Sequence, residues 1–151
     1  MINKNKITIL ILILIIIESS FSVFAMDKTI KNIGADFLHK AGITGKGKTV
    51  CIIDSGFDYT HPNLGGCTEN NFLSGNCNRF IGGYDFGEND SNPIEKVDFT
   101  NNEAKHGTQV LGIIASNDTK YKGVAPGANV IMIKFPRDNI SLSRAEKFAN
   151  Y

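Results

Sequence analysis

The stretch Val50-Cys51-Ile52-Ile53-Asp54-Ser55-Gly56 constrains the fold of this chain more than any other. Four apolar residues in succession, three of them β-branched, predict a strand buried on both faces, as in parallel α/β sheets. The run stops at Asp-Ser-Gly, so Asp54 is expected at the C-terminal end of the strand. That edge is where open α/β sheets bind ligands. Gly56 permits a sharp turn and the close approach of another group. Taken alone, Asp54 serves equally well as a cap for the turn that follows.

A second stretch, His106-Gly107-Thr108-Gln109-Val110-Leu111-Gly112-Ile113-Ile114-Ala115-Ser116, sets a histidine just ahead of an apolar helical pattern. Val110, Leu111, Ile113 and Ile114 are expected on its buried side. His106 then stands at a helix N-terminus, where the positive end of the dipole disfavours a charged imidazole and leaves the ring free to accept a proton. A lone histidine is more often structural than chemical. A strand-end aspartate followed by His-Gly-Thr, in that order, reverses the balance. Elsewhere, Lys28 to Lys40 predicts one short helix with Ile30, Ile33, Phe37 and Leu38 on one side, ended by Ala41-Gly42. Phe80 to Phe86 and Asn129 to Lys134 predict two further strands, Gly65 to Asn92 is otherwise loop-rich, and Ser143 with Glu146 has capping-box spacing for a last helix.

These segments resemble the subtilisin-like serine proteases, the subtilases. Ile53-Asp54-Ser55-Gly56 with His61-Pro62-Asn63-Leu64 is similar to the family's catalytic-aspartate segment, and His106-Gly107-Thr108 with Val110 and Gly112 to its catalytic-histidine segment. Gly123-Val124-Ala125-Pro126-Gly127-Ala128 is similar to the stretch ahead of the family's next sheet strand. The resemblance runs from about Ile33 to Lys134 and keeps the order Asp before His. It implies an α/β fold with a subtilisin-like parallel sheet flanked by helices, truncated at its C-terminal side. It also implies catalytic roles for Asp54 and His106, polypeptide substrates, and a later Gly-Thr-Ser segment and oxyanion-hole Asn that this chain does not carry. Ser116, Ser141 and Ser143 stand in other contexts. Lys105 replaces a frequent Gly and Gln109 a frequent second His, departures expected to loosen the packing around His106 without removing its chemistry. Many subtilases have a calcium ligand where this chain has Asn63, and the loop after Ile114 is short, so no cofactor is expected, the family's structural calcium included.

Residues 1–25 read as a secretory signal: Lys4 and Lys6, then Ile7 to Ile17, apolar but for Thr8, then Val23-Phe24-Ala25 as a cleavage site. The apolar run is too short to cross a bilayer comfortably. Residues 26–151 are expected to form the incomplete N-terminal part of one peptidase domain, secreted to the exterior or the periplasm, with no stable membrane association after cleavage. A formal net charge of +1 offers no case for nucleic acid. In an oxidising compartment the loop cysteines Cys67 and Cys77 are expected to pair, worth about 2.5–3 kcal/mol by loop-closure entropy, leaving Cys51 as an inert core thiol. His61 and Asp58 show no metal-ligand spacing.

The expected function is serine-type endopeptidase chemistry, with Asp54 and His106 present, the serine absent, and the chain alone inactive. The missing C-terminal part of the same domain is then a partner. The alternative is a non-catalytic remnant that binds peptides or a protein partner. An aspartyl-phosphate phosphatase also places Asp after an apolar strand, but wants a second Asp where this chain has Gly56.

Overall fold

The computed structural model describes residues 25–95 and 105–135. Strands β1 (Thr49–Asp54), β2 (Phe80–Asp85) and β3 (Asn129–Lys134) form a parallel sheet in the order β1-β3-β2. Asp54 and Asp85 both register with Lys134, so the three strands finish level at one edge. Each strand lies where an apolar run predicts it. The helices are α1 (Ala25–Asn32), α2 (Ala35–Lys40), α3 (Glu69–Leu73) and α4 (His106–Ala115), with a 3-10 turn at Pro62–Leu64.

The core lies between α4 and one face of the sheet. Leu111 and Ala115, one helical turn apart, meet Ile52, Phe80, Val130 and Met132. The loop leaving β1 adds Phe57, Tyr59 and Leu64, and Phe72 of α3 stacks on Tyr59 with ring centroids 4.4 Å apart. Val110 and Ile114 pack at the margin of this cluster, but Ile113 is half-exposed. At roughly 100° per residue Ile113 points away from Leu111, so the expected four-residue face is one residue too wide.

Three other expectations are corrected. The Asp54 strand is buried on one face only: Ile52 is buried, whereas Cys51 is exposed and Ile53 is 52% exposed. Cys51 is therefore not a core thiol. The α4 layer covers the Ile52 side, and on the other side Ile53 and Ile81 of β2 remain largely open. The region expected as one helix from Lys28 to Lys40 is two, broken at Gly34, whose φ of 72° is left-handed. The break leaves Ile30 buried and turns Ile33, Phe37 and Leu38 outward. Finally, α3 falls within a region read as loop. Thr68 opens it by accepting the Asn71 N–H on its hydroxyl, a cap that the run Thr68-Glu69 signals. The helix predicted from Ser143 lies outside the described residues.

Candidate active site

The C-terminal end of β1 and the first turn of α4 bring Asp54 and His106 together. His106 Nδ1 lies 2.9 Å from both carboxylate oxygens of Asp54. The Ser55 N–H donates to Asp54 Oδ1 at 2.7 Å, and the Ser55 hydroxyl to the same oxygen at 3.2 Å. The carboxylate side chain is 14% exposed and the imidazole 57%, so a sheltered acid faces a ring open to solvent. Burial alone would push the Asp54 carboxyl up. The Ser55 N–H and the His106 imidazole outweigh it and hold the group below its ordinary value. A carboxylate can only accept, so neutral His106 carries its proton on Nδ1 and leaves Nε2 as the basic nitrogen.

Two glycines permit this approach. A Cβ on Gly107 would run into the Gly56 carbonyl and lie 3.0 Å from Asp54 Cβ. Gly56 has φ 136°, and a Cβ there would meet the Glu95 backbone at 3.1 Å. The loop leaving β1 is tied to the 93–95 segment by Phe57 N–H to Pro93 O at 3.0 Å and Glu95 N–H to Phe57 O at 3.3 Å. Thr108 then joins that loop to α4: its hydroxyl accepts the Asp58 N–H at 2.8 Å and donates to Glu95 Oε2 at 2.6 Å. Lys134 closes the edge, pairing with buried Asp85 at 2.8 Å and donating to Ile94 O at 3.2 Å.

The remaining singled-out residues lie apart from the pair. His61 Nδ1 accepts the Asn63 N–H and caps the 3-10 turn, while Asp58 Oδ1 binds the N–H and hydroxyl of Thr60. The Asn63 carbonyl is taken by Asn117 N–H and the Ser116 hydroxyl. No group of three His, Cys, Asp or Glu side chains suited to a metal ion occurs among the described residues. Ser116 is buried just past the far end of α4, and Ser141 and Ser143 lie outside the described residues. Lys105 precedes α4 without capping it, and Gln109 is exposed. Cys67 and Cys77 are joined by a disulfide with Cα atoms 5.9 Å apart. From the sequence, Glu95 is only one acid of the polar stretch Glu88 to Glu103, expected as a solvated loop, whereas the fold buries it; Thr108 enters only as part of a motif.

Comparison with known proteins gives a consistent set. The model of the subtilase family matches residues 45–149. The minor extracellular protease Vpr of Bacillus subtilis (strain 168) is 42% identical over 108 residues, covering 70% of this chain and 12% of Vpr. The major intracellular serine protease of the same organism is 32% identical over 119 residues, covering 78% of this chain and 33% of that protein. Subtilisin E, again from this strain, is 34% identical over 107 residues, covering 70% and 23%. The chain thus spans a third or less of the length of these relatives.

Proposed function

Since the chain belongs to the subtilase family, we propose that it supplies the aspartate and histidine of a subtilisin-type serine endopeptidase. The observation that carries this reading is the 2.9 Å contact of His106 Nδ1 with both oxygens of Asp54. Asp54 fixes the imidazole tautomer and stabilises the imidazolium once it forms. His106 Nε2 takes the proton of a serine hydroxyl as that oxygen attacks a peptide carbonyl, then returns it to the departing amine. The serine and the oxyanion donor come from a Gly-Thr-Ser segment and an Asn that this chain lacks. In such enzymes loss of the nucleophile alone costs about 2 × 10⁶ in kcat, so the 151-residue chain is silent on its own. The substrates are polypeptides. Export is supported by the leader pattern of residues 1–25 and by the Cys67–Cys77 bridge.

A second reading, a non-catalytic remnant that holds a peptide or protein partner, is favoured by the apolar surface of Ile53 and Ile81 beside exposed Cys51. A serine-directed fluorophosphonate probe separates the two. It is expected to label a longer protein that continues into a Gly-Thr-Ser segment, and not the 151-residue chain. Failure to label the longer protein would favour the remnant. Labelling of the short chain would contradict the assignment of the missing nucleophile.

A further inference from the structure

One buried acid beside the pair has no part in the chemistry above. Glu95 is 8% exposed, and its Oε1 has no hydrogen-bond partner among the described residues. Burial pushes its carboxyl up; the Thr108 bond pulls it back, with Asp58, Lys105 and Asp54 as lesser influences. An acid kept in so unfavourable a place, where a neutral side chain would cost less, invites a reason.

The reason lies in the Thr108 hydroxyl. A backbone N–H can only donate, so the Asp58 N–H occupies a lone pair of that oxygen and frees its single proton for Glu95 Oε2. Thr108 is two residues beyond His106, and Asp58 four beyond Asp54. One hydroxyl therefore couples the loop leaving Asp54 to the helical turn carrying His106. Glu95 fixes the rotamer of that hydroxyl, and is itself held by Phe57 O and by the Lys134 bond to the neighbouring Ile94 carbonyl. We propose that Glu95 is a positioning residue for the Asp54–His106 pair and acts through Thr108. This rests on the function proposed above. Catalytic groups need placement to about 0.5 Å, and a supporting hydrogen bond of this kind provides it.

The test is the His106 Nδ1 proton in NMR spectra of the 151-residue chain, with far-UV circular dichroism as the check of folding. A proton held between imidazole and carboxylate gives a protected low-field resonance. The wild-type chain should show it, and Glu95→Gln and Thr108→Ser should keep it, since each retains the acceptor or the hydroxyl. Glu95→Ala and Thr108→Val should lose it while remaining folded. Should Glu95→Ala fail to fold, the near-isosteric Thr108→Val decides by the same reading. Persistence of the resonance in the folded Ala and Val variants would overturn the positioning role and leave the pair intact. Its absence from the folded wild-type chain would remove the pair, and this proposal with it.

Discussion

The two ends of α4 are held in different ways. At the C-terminal end the last carbonyls are taken by a half-buried guanidinium and by backbone donors. Arg79 donates to Ala115 O at 2.9 Å and to Leu64 O at 3.2 Å, while Val124 and Ala125 N–H groups reach Ile113 O and Ile114 O. At the N-terminal end the N-cap residue Lys105 makes no side-chain cap, and among the described residues the ties run through His106 to Asp54 and through Thr108 to Glu95 and the Asp58 N–H. Charge suits the helix dipole at both ends, a guanidinium at the negative pole and carboxylates at the positive one. The difference lies in what can respond. The far end is fixed by partners that do not titrate near neutrality. The near end hangs on titratable side chains, one of them a ring open to solvent. The helix is anchored at its far end and adjustable at the end that carries His106.

That contrast is open to attack at three points. The largest effect on folding should come from the middle of α4, where Leu111→Ala empties a fully buried site and loosens both ends together. A loss of about 2–5 kcal/mol in urea unfolding is expected. A loss under about 1 kcal/mol would show that the α4 layer is not the core. Next comes Arg79→Met, which leaves the Ala115 and Leu64 carbonyls without their donor and should cost about 1.5–3 kcal/mol. The His106 Nδ1 resonance should not move. If it does, the two ends are not independent.

The smallest effect is one of pH. The Asp54 carboxyl is lowered from 3.8, so its contribution to stability is complete above that value and fades as pH falls through the lower folded value. The Glu95 carboxyl is raised from 4.5, so its contribution is complete below that value and fades as pH rises through the higher folded one. Unfolding of the wild type against Asp54→Asn and against Glu95→Gln across the acid range should therefore give differences of opposite slope. Slopes of the same sign would refute the charge assignment at the near end.

Much of the near end could be read before any fold was known. An apolar run closed by Asp54-Ser55-Gly56 and a histidine opening an apolar helix are local patterns, and local patterns survive folding. The Cys67–Cys77 bridge was legible from a leader-like pattern at the start of the chain and from the loop context of the two cysteines. What resisted reading depends on layers and on distant partners. An apolar run says that a strand is apolar, not which of its faces another layer covers, so the exposure of Cys51 and Ile53 was not legible. Gly34 splits the first helical pattern by taking a left-handed φ, which a glycine inside an apolar period does not announce by itself. Glu95 carries no motif. Its place beside Thr108 arises because Pro93 and Phe57 pair across the loop, a contact between residues far apart in the chain.

The central claim is that Asp54 orients His106 for general-base chemistry. It is tested most directly by kcat for Asp54→Asn in a version of the chain extended through a Gly-Thr-Ser segment, measured on a peptide substrate. The amide keeps the shape of the side chain and the Ser55 N–H bond but presents the imidazole with the wrong partner. A fall of about 10⁴ in kcat is predicted, with KM little changed. A fall of less than about tenfold, in a variant as stable as the parent, would contradict the account.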